Sequence, residues 1–442
     1  MNFLAAFTAL LTLLSGCAPL SPGNGSVNVP VGNEESQSGG DSGSAANDED
    51  KPADPYVYSS LEGLVMTGYQ GWFNAPDDGT GLKWKHYEKD GEFRPGKCSI
   101  DLWPDVSDYN RVYETEFSYS DGSPAYVFSS ADPSTTRLHF KWMKQYGIDG
   151  AFVQRFVTNL KSSSKSVNST NILLNCVDAA QTYGRAVCVM YDLSGMKAGD
   201  SSYLIDDIDD LILEKKIAQG AKSTYLHHNG KPLVAVWGVG FSDSGRAYDL
   251  AECEKIVDHL RELGCSVLLG VPAKWRTLTS DSVDDPHLLE LIKKADVVHP
   301  WFVGRYDFDS FKNYQSLIQQ DIAWCRSNGL CYIPTVFPGF SWYNLKGGAS
   351  PLNKIPRLEG RFLWSQMYFN VKSGAKCLYV AMFDEIDEGT AIFKCSNRVP
   401  VGDSSFLTYE GVPSDRYMWL VGQAGVMLRG ESPLSSTMPV QP

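Results

Sequence analysis

The chain has 442 residues, 43% of them apolar and 12% aromatic, which suffices for one large packed domain of the size that α/β barrels use. Its formal net charge of −13, with no basic stripe interleaved with aromatics, argues against a nucleic-acid partner. Histidines at zincin spacing, C-x-x-C pairs and a G-x-S-x-G run are all missing, so no metal, no cofactor and no serine elbow are expected.

The first segment, Met1 to Gly16, is apolar and ends in Leu14-Ser15-Gly16-Cys17. An apolar core before small residues reads as a secretory signal. The Leu-Ser-Gly-Cys ending resembles a bacterial lipobox, which implies a lipoprotein signal peptide over residues 1–17 and a lipid on Cys17. Met1 to Gly16 holds no Lys or Arg, unlike most such signals, and an ordinary cleaved signal or a buried helix is the other reading. Residues 18–55 are rich in Ser, Gly, Asn, Asp, Glu and Pro and carry almost nothing bulky, so they read as a flexible acidic tether. The expectation is a protein of the bacterial cell envelope, attached to a membrane through Cys17.

Residues 56–442 read as one domain. Strand-like apolar runs recur at Gly63–Tyr69, Ile148–Val153, Ala186–Tyr191, Pro232–Trp237, Ser266–Leu269, Val297–Trp301, Cys331–Val336 and Cys377–Phe383. Helical periodicity separates them at His139–Gln145, Ile172–Tyr183, Tyr203–Ala218, Leu250–Leu263, His287–Ala295, Tyr314–Ser327 and Arg357–Ser373, with a last helix near Tyr417–Leu428. Continuous apolar strands alternating with helices imply a parallel sheet, and eight units favour a closed (β/α)8 TIM barrel. A long insertion, Gln70 to about Ser134, follows the first strand and is expected to form part of the cleft. Cys188, Cys331 and Cys377 fall inside strands and Cys265 at a strand edge. They read as small buried hydrophobes, and the uneven spread of the other cysteines does not look like a disulfide framework, although one or two bridges remain open.

Active sites of such barrels sit at the C-terminal ends of the strands. Those positions hold Tyr69, Gln70 and Trp72, then Gln154 and Arg155, then Tyr191 and Asp192. Trp237, Trp275, Arg276, Trp301, Arg305 and Trp342 follow on later strands. All are candidates to line a carbohydrate site, the tryptophans by stacking on sugar rings or else by simple packing. Arg155 and Arg276 are equally open to binding a ligand oxygen or pairing with Asp192 or Glu385. His299 precedes Pro300-Trp301 at a strand end and is a further contact candidate, whereas His139 and His259 lie on helical patterns.

The most informative run is Asp384-Glu385-Ile386-Asp387-Glu388-Gly389-Thr390, which sets two glutamates three residues apart directly after the eighth strand. Glycosidic cleavage needs such a pair, one carboxyl to protonate the leaving oxygen and one on the nucleophilic side. A solvated acidic loop or a calcium loop is the alternative, though the D-x-D-x-D-G alternation of an EF-hand is missing.

Phe383 to Thr390 resembles the F-N-E-W-H-E-G-T signature of glycoside hydrolase family 99, the endo-α-mannosidases and endo-α-mannanases. Further likeness lies in the aromatic-rich end of the first strand, in Trp142-Met143 with Gly147-Ile148-Asp149, in Asn229-Gly230-Lys231-Pro232, and in Pro338-Gly339-Phe340, over about residues 60–430. The nearest kin by this resemblance are bacterial family 71/99-like lipoproteins, often labelled xylosidase/arabinosidase. The resemblance implies a carbohydrate substrate, with α-mannan-type chains among the candidates, and two roles: Glu385 deprotonates the sugar 2-hydroxyl and Glu388 is the acid/base at the glycosidic oxygen. A 1,2-anhydro sugar would form between these steps, with overall retention. The chain departs from the signature in carrying Ile386 for its Trp and Asp387 for its His, and it has Tyr191-Asp192-Leu193 where the family tends to have a glutamate-containing His-Ile-Glu-Pro run. A non-catalytic surface glycan-binding lipoprotein is the alternative function.

Overall fold

The computed structural model describes residues 57–220 and 223–442, so the expected signal segment with Cys17 and the tether lie outside the described residues. Eight parallel strands form the centre: β1 (Val65–Tyr69), β2 (Gly150–Phe156), β3 (Ala186–Asp192), β4 (Lys231–Trp237), β5 (Ser266–Pro272), β6 (Val297–Trp301), β7 in two pieces (Cys331–Tyr332 and Thr335–Val336) and β8 (Leu378–Val380). Val65–Tyr69 and Ser266–Pro272 are buried at every position, because helices cover one face of each strand and the barrel interior covers the other. The ring closes through β7. Its first piece pairs with β6 (Cys331 with Val297), its second with β8 (Thr335 with Tyr379), and β8 returns to β1 (Val65 with Leu378). Pro334 interrupts β7 because it has no N–H to give the ladder. Ile333 N still donates to Val298 O, and Pro334 O accepts from Tyr379 N, both at 3.0 Å, so the ring stays continuous.

A main helix follows each strand: α1 (Pro133–Tyr146), α2 (Ser163–Tyr183, preceded by a single helical turn at Val157–Leu160), α3 (Ser201–Asp209), α4 (Leu250–Glu262), α5 (His287–Lys293), α6 (Gln315–Ser327), α7 (Arg361–Lys372) and α8 (Arg416–Leu428). In α4, Asp249 accepts from Glu252 N at 2.9 Å and caps the start, and Leu250, Cys253, Ile256, Val257 and Leu260 form the buried stripe. The architecture is the expected (β/α)8 barrel. Boundaries differ where the apolar period is interrupted. α2 begins at Ser163 rather than Ile172, because its first turns are polar and line a cleft. α3 passes into a π turn over Asp210–Glu214 instead of running on to Ala218. β8 is shorter than Cys377–Phe383, yet Ala381 N and Phe383 N still bond Val336 O and Gly68 O, at 2.9 and 2.7 Å.

The insertion after β1 contains an antiparallel hairpin, Tyr113–Ser118 with Pro124–Val127. Isolated bridges join it to the chain after β8, Leu102 to Leu407, Pro104 to Cys395 and Ser118 to Val401. Its residues Trp72, Leu82, Lys85 and His86 form one wall of the cleft. Inside the barrel, Tyr379 fills the centre. A side chain on Gly68 would bring its Cβ within 2.2 Å of the Tyr379 oxygen, so β1 carries glycine where that ring passes. Gln154 donates to the Tyr379 oxygen at 3.2 Å and the His299 ring lies 4.3 Å away, which makes a packed floor under the site. The described cysteines are all free thiols and all buried except the half-buried Cys331.

Candidate active site

The acidic turn after β8 is held from three sides. Asp384 accepts from Gln70 N and Gly71 N, at 2.7 and 2.8 Å, and so ties the end of β1 to the end of β8. Ser341 N, in the loop after β7, donates to Glu388 O at 2.9 Å. That loop is itself fixed by Asp101 from the insertion, which accepts from Ser341 Oγ, Tyr343 N and Asn344 N at 2.6–2.8 Å. Arg357 donates to the carbonyls of Gly389 and Ala391, each at 2.7 Å. Asp384, Glu385 and Asp387 are at most 4% exposed, which removes the reading of this run as a solvated acidic loop.

The two glutamates are held differently. Glu385 accepts from Gln70 Nε2 and from Thr390 Oγ1, both at 2.6 Å, so each of its oxygens is fixed. Glu388 is half-buried, and its carboxylate accepts no hydrogen bond from the described residues. Burial raises the proton affinity of Glu385 well above the ordinary carboxylate range, the Asp387 charge adds to this, and the bonds from Thr390 and Gln70 oppose it. Burial also raises Glu388, reinforced by Glu385 and Asp192 and opposed by Lys346. Asp387 is pushed up by burial and by Glu388. One of its oxygens lies 3.7 Å from His86 Nδ1 and the other has no partner. Burial lifts Asp384 to about 6, against the pull of its two backbone donors. Burial and the neighbouring acid charge thus push both glutamates toward their protonated forms.

Strand alternation sorts the expected residues. Gln70, Gln154 and Asp192 face the interior around Glu385, Glu388 and Tyr379, as the contacts of Gln70 and Gln154 and the electrostatic reach of Asp192 indicate. Their neighbours face outward. Tyr69 bonds His139 Nδ1 at 2.9 Å against α1. Arg155 meets Asp207 of α3 at 2.5 and 2.6 Å, and Tyr191 donates to the same carboxylate at 2.6 Å. Trp275 is fully buried edge-on to Trp324 of α6, while Arg276 donates to Asp321 of that helix at 2.6 Å. Arg305 sits 3.0 Å from Asp281 and ties two loops together. Neither Arg155 nor Arg276 pairs with Asp192 or Glu385.

Among the aromatics, Trp237 and Trp301 meet edge to face at 5.4 Å, and Trp301 also reaches Tyr379. Trp342 donates to Ser350 Oγ at 2.7 Å, with the Lys346 ammonium 4.7 Å above its ring. Trp72 stacks on His86 at 4.0 Å and on Phe156 at 5.5 Å, so rings of the protein already occupy its indole. His299 is fully buried in the floor, its Nδ1 3.1 Å from Ile333 O.

Sequence reasoning missed Thr390 as the second clamp on Glu385, Lys346 beside Glu388, and the cleft wall made by Lys85, His86, Asn159 and Lys165. The cleft is an open one that runs beside Gln70 and Gln154. Lys165, Asn168 and Ser169 stand three and four residues apart, the spacing of one helical face, and that was the available signal. Among the described residues no group of three His, Cys, Asp or Glu converges as a metal would require.

No family model matches the chain, and no curated protein matches it. Solved structures do. A family 99 endo-α-mannosidase from Bacteroides thetaiotaomicron superposes with a TM-score of 0.60 at 15% identity, covering 84% of this chain and 99% of that one. A second structure of a family 99 endo-α-mannosidase from that organism, in complex with bis-tris propane, gives 0.58 at 16% identity with the same coverage. At these identities the likeness is one of fold: the (β/α)8 barrel of this chain is similar, over nearly its whole described length, to that of the family 99 enzyme.

Proposed function

We propose that the chain is a glycoside hydrolase acting on an oligosaccharide or polysaccharide, with Glu388 as general acid and Glu385 as general base. The observation that carries this reading is the contrast between the two glutamates: one clamped at both oxygens and one unclamped, three residues apart at the mouth of a barrel. A clamped carboxylate suits proton abstraction from a fixed position, and an unclamped one can follow the glycosidic oxygen. The family resemblance supplies the chemistry. Glu388 gives its proton to the glycosidic oxygen as the C1–O bond breaks, while Glu385 takes the 2-hydroxyl proton and O2 closes on C1. Water then attacks C1, loses its proton to Glu388, and O2 regains one from Glu385. Such a route requires a 2-hydroxyl trans to the leaving group, as in α-mannosides, and α-mannan-type substrates are the first choice on that ground. The Leu-Ser-Gly-Cys ending supports a further proposal, that Cys17 carries a lipid and holds the enzyme at the bacterial cell envelope.

The test is release of oligosaccharides from a polysaccharide panel, with a 2-deoxy analogue of any substrate found. Release, with the analogue inert, is the expected result. Binding without release under all conditions would overturn the enzyme reading in favour of a glycan-binding lipoprotein.

A further inference from the structure

We infer that the cleft between the β1 insertion and the first turns of α2 is a subsite for an anionic substituent on the sugar: a uronate carboxylate, a sulfate ester or a phosphate. The inference rests on the carbohydrate reading above and names a substrate class within it.

The chain is strongly acidic, yet the residues lining this cleft include no Asp or Glu. They include two lysines, Lys85 from the insertion and Lys165 from the first turn of α2. Neither ammonium forms an ion pair or hydrogen bond among the described residues, although many other lysines of this chain do, Lys161 with Asp200 and Lys394 with Asp108 among them. Lys85 is half-buried. Burial and then the nearby Lys165 charge lower its proton affinity, with the Glu88 charge opposing them, and an anion seated between the two lysines would relieve the remaining cost. Asn159 adds a side-chain amide with no hydrogen-bond partner among the described residues, and the first turns of a 21-residue helix contribute the positive end of its dipole.

The placement gives the subsite a purpose. Gln70 lines this cleft and also holds Glu385, so the subsite adjoins the catalytic pair. The lysine pair attracts an anionic group, whereas the carboxyl cluster of Asp384, Glu385, Asp387 and Glu388 offers it no opposite charge. A substrate with one charged sugar would therefore enter in a single register, charge toward Lys85 and Lys165 and scissile bond toward Glu388.

The experiment uses oligosaccharides matched in backbone, one neutral and three bearing a uronate, a sulfate ester or a phosphate. Calorimetry gives their affinities for the wild-type protein and for Lys85→Met, Lys165→Met and the double variant, at low and high sodium chloride, with product release measured in parallel. At least one anionic probe should bind about tenfold tighter than the neutral one, the scale of a charge-assisted hydrogen bond. The double variant and high salt should erase that advantage. Equal affinity for neutral and charged probes, or an advantage that survives both lysine substitutions, overturns the subsite. Charge-selective binding without hydrolysis would leave the subsite standing and sink the enzyme reading, whereas hydrolysis without charge selectivity would do the reverse.

Discussion

Gln70 reaches from the end of β1 to the end of β8 and donates its side-chain amide to Glu385 at 2.6 Å, while its own backbone N–H is held by Asp384 at 2.7 Å. Adjacent acids thus do different work: Asp384 fixes the residue that fixes Glu385. The bond also lowers the proton affinity of Glu385 against the effect of burial. Gln70→Ala should reduce kcat by roughly 10- to 100-fold, within the range of acid–base assistance. It should also shift the acidic limb of the pH–rate profile upward, because Glu385 would hold its proton more tightly. Unchanged kcat with an unmoved limb would show that the clamp has no part in turnover.

The two glutamates should separate by leaving group. Glu388→Gln should slow substrates with poor leaving groups by about 10²–10⁴-fold and spare activated aryl glycosides, which need little protonation. Glu385→Gln should slow both kinds alike. On the proposed roles, wild-type activity should rise as Glu385 loses its proton and fall as Glu388 loses its own. Since burial raises both, the bell should lie above the ordinary glutamate range. Equal losses for both substrate types in Glu388→Gln would remove it as the acid.

The same burial should cost stability. Asp387 binds its proton more tightly when folded than when unfolded, so the native state retains a proton that the unfolded chain has released. Stability therefore falls as pH rises from the unfolded value toward the folded one. Asp387→Asn should be more stable than wild type by roughly 1–3 kcal/mol in urea denaturation at about pH 8, with the difference closing near about pH 4. A variant less stable than wild type at the higher pH would contradict this account.

Arg155 belongs to the scaffold by its contacts, being 2% exposed and paired with Asp207. Arg155→Met should cost about 3–5 kcal/mol, the usual effect of stranding a buried partner charge. KM of the folded fraction should stay unchanged, and a raised KM with intact stability would return Arg155 to the cleft.

For the anchor, Cys17→Ser should leave the membrane fraction and become soluble. Equal membrane association of the two forms would refute lipidation at Cys17.

The barrel was legible because its strands are buried on both faces and therefore read as unbroken apolar runs, Ala186–Tyr191 being one. The glutamate pair was legible because it follows the last of those runs directly. What the sequence hid was orientation. Gln154 and Arg155 are neighbours at a strand end, and only the pleat sends one inward and the other to Asp207. The start of α2 was hidden for the opposite reason. A helix turn that faces a polar cleft has no apolar period to reveal it, so Lys165 and Asn168 read as loop.

The break at Pro334 gives the barrel a seam. β2 and β3 pair along their whole lengths, from Gly150 with Ala186 to Phe156 with Asp192, whereas β7 touches β6 and β8 only through short pieces. Local opening draws on the segments with the fewest rungs, so amide protons of Tyr332, Thr335 and Val336 should exchange with solvent well before those of β2 and β3. The loop carrying Ser341, Trp342 and Lys346 hangs from that seam, and its bonds to Asp101 and to Glu388 O keep it in place while the seam opens.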